Sequence, residues 1–173
     1  MGVIFVAGCY GVGKSTVIRQ LSRLMSVPFF SASSLISEAN NETYGANKFV
    51  ADKKKNQKIL LSKIEEKLKE HSRFFLDGHF CIFKQGNVID PLPLDDLKVM
   101  HFEKIVLLEA EPDFILKNLS NRDEKTYTLK AITALMEAER QQATALSKMM
   151  QIPLQIHQMK FDDTDVPKIL SAL

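Results

Sequence analysis

Eight residues near the start of the chain, Gly8-Cys9-Tyr10-Gly11-Val12-Gly13-Lys14-Ser15, have the types and spacing of a phosphate-binding loop, G-x-x-x-x-G-K-[ST]. Glycines remove Cβ atoms, so the backbone can wrap a phosphate and aim successive N–H groups at its oxygens. The helix expected next adds the positive end of its dipole. On this reading Gly8, Tyr10, Gly11, Val12, Gly13, Lys14, Ser15 and Thr16 form the nucleotide-binding segment. Lys14 brings a mobile point charge to the β- and γ-phosphates as a catalytic residue, and Ser15 offers its hydroxyl to Mg²⁺. The expected cofactors are ATP and Mg²⁺. GTP is disfavoured, because the guanine-reading Asn-Lys-x-Asp segment does not occur; residues 118–123 read NLSNRD.

A second group belongs with the loop. Asp77 closes the mostly apolar run RFFLD at 73–77 and precedes Gly78. A carboxylate at the end of a neighbouring strand is where a P-loop protein holds its Mg²⁺, often through water. Ser15 and Asp77 are therefore the expected metal residues, with a plain Asp-Gly turn as the alternative.

The elements that must position these residues follow from periodicity. Residues 2–7 (GVIFVA) form a β-branched apolar run of the kind buried in parallel sheets. Residues 16–25 carry Val17, Leu21, Leu24 and Met25 at helical spacing. Further strands are predicted at 27–32, 73–77, 104–109 and 153–157. Helices are predicted from Ser33 or Ser34 to Ala39, from an Asn47 cap to about Glu70, from Pro112, over 128–150 and over 166–173. Residues 78–93 read as a loop rich in turn formers. Strands alternating with helices specify an α/β fold. The expected form is a three-layer P-loop NTPase fold, with a five-stranded parallel sheet and helices on both faces. Ligands then gather at the carboxyl ends of the strands, where the glycine loop, Asp77, Glu109 and His157 all fall.

Length and composition bound the function. With 173 residues the chain is most economically one domain, 1–173. Its 23 basic and 21 acidic residues leave a net charge of +2, which gives no support to a nucleic-acid-wrapping protein. The first apolar run is too short for a membrane span. Cys9 and Cys81 have neither metal-ligand nor disulfide spacing, and a reducing cytoplasm is the expected location. Cys9 lies beside a helix N-terminus, a placement able to lower a thiol pKa.

The segments GCYGVGKST, FFLDGHF and KIVLLEAEPDFILKNLSNRD, with EAER on a later helix, resemble the small adenylate kinase-like nucleotide kinases, most nearly the archaeal type. In that family an Asp-x-His segment, a later lysine and a Pro-containing loop come in the order seen here as Asp77-Gly78-His79, Lys84 and Asp90-Pro91-Leu92-Pro93. Asn121-Arg122-Asp123 looks like the family's lid edge, and Arg140 like its arginine on the following helix. The resemblance implies Mg·ATP-dependent phosphoryl transfer to a nucleoside monophosphate. It implies an acceptor-binding region at 31–71 and a short lid at 120–128. Arg122 would contact the nucleotide and, with Arg140, converge on the transferring phosphoryl group. The chain departs from the bacterial and mitochondrial pattern in lacking the arginine of Asp-Gly-Phe-Pro-Arg, and residues 31–58 contain no arginine. Lys48, Lys53, Lys54, Lys55 and Lys58 stand there as electrostatic substitutes or as a solvated helix face. His79 is left open between a substrate contact and a histidine packed under the loop. The alternatives to a nucleotide kinase are a nucleotide-dependent switch or ATPase acting on a protein partner, and a kinase for another small metabolite. No nucleic acid or membrane partner is expected.

Overall fold

The computed structural model describes residues 2–40, 53–122 and 127–173. At its centre lies β1 (Gly2–Gly8), buried along its whole length. It pairs in parallel with β3 (Arg73–Asp77) on one side and β6 (Phe102–Glu109) on the other. The edges are β2 (Phe29–Ser31) beside β3 and β7 (Leu154–Gln158) beside β6, both parallel. The five-stranded order is β2-β3-β1-β6-β7. Strands covered on both faces explain why residues 2–7 and 105–108 read as continuous apolar runs and not as alternating ones.

Helices cover both faces. On one, α1 (Lys14–Met25) packs on β1 and β3 and meets α7 (Asp165–Leu170). On the other, α6 (Leu129–Met150) runs across β1 and β6 and meets α5 (Pro112–Arg122) and α4 (Leu94–Leu97). At the β2 edge α2 (Ala32–Asn40) packs against α3 (Lys53–Glu70). The Thr128 hydroxyl accepts from Ala131 N at 3.1 Å, the side-chain cap that starts α6.

Some expected boundaries move. Residues 78–93, expected as a loop, contain the antiparallel hairpin of β4 (Cys81–Lys84) and β5 (Val88–Pro91). Its strands are four residues each and turn through Gly86 and Asn87 at positive φ, so turn chemistry masks the pairing in the sequence. Strand β2 is shorter than 27–32 because Ala32 already begins α2. The Asn47 cap, Lys48 and the 40–45 turn beyond Asn40 lie outside the described residues, as do lid positions 123–126.

Under the carboxyl ends of β1 and β3 an aromatic cluster sets the floor of the site. The Phe5 ring stacks on Phe102 at 4.6 Å and meets the Phe80 edge at 5.0 Å. A Cβ at Gly78 would lie 2.6 Å from the Phe5 ring, so only glycine lets the chain leave Asp77 across it.

Candidate nucleotide-binding site

The loop between β1 and α1 has the backbone its glycines permit. Gly8 has φ +145°, and a Cβ there would lie 2.4 Å from Leu108 O on β6; Gly13 has φ +95°. The Asn118 amide on α5 steadies the loop by donating to Gly11 O at 2.9 Å. Val12 is fully buried, anchoring the loop to the core, whereas Ser15 and Thr16 are exposed. Lys14, the first residue of α1, is buried and folds back across the loop. Its Nζ donates to Gly8 O at 2.8 Å and to Cys9 O at 3.2 Å. Burial pushes the Cys9 thiol up to about 12, against the pull of Lys14. Cys9 is thus a small buried residue of the loop.

Ser15 Oγ donates to Asp77 Oδ2 at 3.1 Å, joining two residues 62 positions apart. This hydroxyl–carboxylate pair of hard oxygens fits Mg²⁺, an ion that keeps waters and phosphate oxygens in its remaining positions. No cluster of three or more His, Cys, Asp or Glu side chains suited to a metal occurs among the described residues. Nucleotide phosphates would complete the shell.

One residue was missed. Glu139 on α6 is 1% exposed, and its carboxylate accepts from Phe80 N at 3.0 and 3.2 Å and from Cys81 N at 2.9 Å. Burial pushes this carboxyl up to about 7, against the Lys14 charge and the two backbone N–H groups. The buried face of α6 is Ile132, Leu135, Glu139, Ala143 and Leu146. Glu139, and not Arg140, therefore occupies the inward stripe. A carboxylate spaced four residues from both Leu135 and Ala143 was the available signal.

Arg140 points elsewhere. Its Nε donates to Glu109 Oε1 at 2.7 Å and its Nη2 to Glu109 Oε2, a two-pronged pair at the end of β6. Its guanidinium is half exposed, while Glu109 is buried. The end of α5 is described at Arg122, but the Arg122 side chain is not. His157 bonds to Asp165 at 2.8 Å. Asp165 also accepts from the backbone N–H groups of residues 160–162, fixing the loop after β7. The strand ends thus bring Asp77 to the glycine loop, while Glu109 and His157 are engaged with Arg140 and Asp165.

A cavity of about 840 Å³ opens from the loop. Its lining includes Tyr10, Lys14, Ser15, Asp77 and His79 together with Ser31, Ser33, Asn56, Gln57 and Leu60. The size is that of a small-molecule site. Of the lysine cluster, Lys53 is bound to Asp90 at 2.6 Å, whereas Lys54, Lys55 and Lys58 lie on exposed positions of α3. His79 lies against Tyr10, with ring centroids 4.1 Å apart, and lines the cavity.

A parallel sheet in the order 2-3-1-6-7, with a glycine loop leading into α1 and a Ser–Asp pair beside it, defines a P-loop nucleotide-binding protein of the kinase-type fold. Proteins of this type use ATP and Mg²⁺. The family profile described as "AAA domain" matches residues 7–136, and the chain belongs to that family. Solved structures share the fold at low identity. A gluconokinase from Sinorhizobium meliloti 1021 is 14% identical with a TM-score of 0.58, over 98% of this chain and 90% of that one. A shikimate kinase from Bacteroides thetaiotaomicron is 15% identical with a TM-score of 0.61, over 99% and 95%. A shikimate kinase from Acinetobacter baumannii, solved with shikimate, is 18% identical with a TM-score of 0.61, over 99% and 92%. No curated protein matches the chain in sequence. Among the described residues no helix is long and apolar enough to cross a membrane.

Proposed function

We propose that this chain is a phosphotransferase that moves the γ-phosphoryl group of Mg·ATP to a small acceptor, a nucleoside monophosphate or the parent nucleoside. One observation carries the reading. The phosphate loop and Asp77 share a single cavity with α2 and α3, which leaves room for a second molecule next to the γ-phosphate. A nucleotide switch has no need of that second compartment. The monophosphate follows from the sequence resemblance to adenylate kinases. The free nucleoside stands beside it because Lys14 is the only lysine or arginine among the described lining residues, so an acceptor phosphate meets little positive charge.

In this mechanism the loop N–H groups and the Lys14 ammonium bind and orient the triphosphate. Lys14 exchanges its carbonyl partners, Gly8 O and Cys9 O, for phosphate oxygens. Ser15 and Asp77 would hold Mg²⁺, which would supply charge neutralisation to the triphosphate. An acceptor oxygen forms a bond to the γ-phosphorus as the bond to the β–γ bridging oxygen breaks, and ADP leaves. A hydroxyl acceptor gives up its proton to solvent as the transfer completes. Residues 31–71 bind the acceptor, and residues 120–128 close over the nucleotide. Arg122 and Arg140 reach the transferring group, Arg140 after leaving Glu109. The cytoplasmic location belongs to the same reading, since Cys9 and Cys81 are both free and buried thiols.

The test is a panel of nucleoside monophosphates, nucleosides, polyhydroxy acids and water as acceptors with Mg·ATP, following ADP formation and acceptor phosphorylation together. Phosphorylated nucleoside or nucleotide is the expected product. ADP formation with no phosphorylated acceptor in the whole panel would favour the switch.

A further inference from the structure

We propose that Glu139 is a proton-binding site coupled to the phosphate loop: when nucleotide phosphates claim the Lys14 ammonium, the carboxylate takes up one proton from solvent. Nucleotide binding then consumes a proton and weakens as pH rises. The inference rests on the proposed exchange of Lys14 from carbonyls to phosphate and does not depend on which acceptor the site takes.

Glu139 and Lys14 are both buried, on α6 and α1. Their charges act together on Cys9, whose carbonyl accepts from Lys14 Nζ at 3.2 Å. Both Lys14 partners, Gly8 O and Cys9 O, are neutral, so the carboxylate feels the full charge of the ammonium. A phosphate on Lys14 cancels that attraction and adds negative charge of its own, and both changes favour the neutral carboxyl. The hydrogen bonds suit the neutral form. Glu139 Oε1 takes the two shorter ones, from Phe80 N at 3.0 Å and Cys81 N at 2.9 Å, while Oε2 takes one at 3.2 Å. Oε1 can therefore serve as the carbonyl oxygen and Oε2 carry the proton, with both shorter bonds kept.

The groups around Glu139 leave the proton to it. Burial pushes the thiols of Cys9 and Cys81 up to about 12 and raises the Tyr10 hydroxyl, so all three stay neutral near pH 7. Asp90, the β5 carboxylate that acts on Cys81, is held by Lys53 and Lys84 at 2.6 and 3.0 Å. Glu109 of β6 is paired with Arg140. His79 has Nδ1 3.9 Å from Glu139 Oε1 and also lines the cavity, which makes it the control residue. Burial already holds the Glu139 carboxyl at about 7 against the Lys14 charge, where losing that charge changes its occupancy most.

The test measures Mg·ADP binding to the full chain by calorimetry in buffers of differing ionisation heat, which counts the protons taken up. Parent, Glu139→Gln and His79→Gln are compared. The parent should take up about half a proton per nucleotide near pH 7.5 and lose affinity about fivefold between about pH 6.5 and 8.5. Glu139→Gln should take up none and keep its affinity across that range, while His79→Gln behaves as the parent. Melting temperature establishes that each variant is folded. If Glu139→Gln does not fold, infrared difference spectra of the parent with isotope-labelled glutamate read the same proton, as a protonated glutamic carboxyl band that grows with Mg·ADP. No uptake by the parent, equal uptake in folded Glu139→Gln, or no such band overturns the proposal. Loss of the uptake in His79→Gln alone places the proton on the imidazole and overturns it too. Uptake with no phosphorylated product in the acceptor panel keeps the proton site and removes the phosphotransferase reading. Phosphorylation without uptake does the reverse.

Discussion

Both carboxylate oxygens of Glu139 on α6 accept the backbone N–H of Phe80, at 3.0 and 3.2 Å, across 59 positions of sequence. The contact holds the segment after Asp77 in place, so the far side of the sheet steadies the end of β3. Glu139 is thus placed to position Asp77, the proposed metal carboxylate, through the backbone of Gly78–Cys81.

Glu139 gives a pH signature. Its folded carboxyl stands at about 7 against an ordinary 4.5, so between those values the folded state keeps a proton that the unfolded chain loses. The stability it contributes is complete below about pH 4.5 and is lost as pH rises through about 7. Denaturation of parent and Glu139→Gln from pH 4.5 to 8 should show the parent declining relative to the variant by about 1–3 kcal/mol. Parallel curves would mean that the carboxyl does not titrate there.

Lys14→Ala should lower phosphoryl transfer by roughly 10²-fold or more, since the ammonium neutralises charge on the transferring group. The fold should survive. The hydrogen bonds from Nζ to the loop carbonyls Gly8 O and Cys9 O are lost, about 1 kcal/mol each, and both acceptors lie at the site. Turnover and melting temperature on the same preparation check it; unchanged turnover in folded protein contradicts the P-loop assignment.

Asp77→Asn keeps the shape of the β3 end and removes its charge. The Mg²⁺ concentration for half-maximal rate should rise about tenfold or more, and saturating Mg²⁺ should restore the rate only in part. A Mg²⁺ titration identical to the parent's would make Asp77 a structural turn residue.

Arg122→Ala and Arg140→Ala should each lower kcat by far more than they weaken ATP binding, because the proposed contacts form as charge spreads in the transition state. Glu109→Gln supplies the control for Arg140, since it loosens the observed pair while keeping the guanidinium. If Arg140→Ala and Glu109→Gln change melting temperature together and leave kcat alone, the pair is structural.

Gly78→Ala should destabilise the chain by about 1–3 kcal/mol, because the added Cβ lands 2.6 Å from a Phe5 ring held between Phe80 and Phe102. Phe5→Leu shortens that ring and should relieve part of the cost, so the double variant should be more stable than the two losses added. Simple additivity in denaturant melts would show that the two sites do not touch.

The glycine loop and the parallel sheet were legible in the sequence because each depends on local chemistry, whereas the Ser15–Asp77 contact joins residues 62 positions apart and needed the sheet to form. Glycine spacing, apolar runs covered on two faces and an acid at a strand end all mark single stretches of chain. The hairpin at 81–91 was not, since four-residue strands around a Gly-Asn turn carry too little periodicity to separate from a loop. The orientation of α6 was decided by packing as well. Within these 22 residues Glu139 faces the interior and Arg140 the edge of the sheet. The first could be buried because the N–H groups of Phe80 and Cys81 were waiting there, and the second reached Glu109 at the edge of the sheet. A periodic pattern fixes a helix and its approximate face. Which polar side chain can enter that face depends on partners brought from elsewhere in the chain, because a buried charge is tolerated only where such partners meet it.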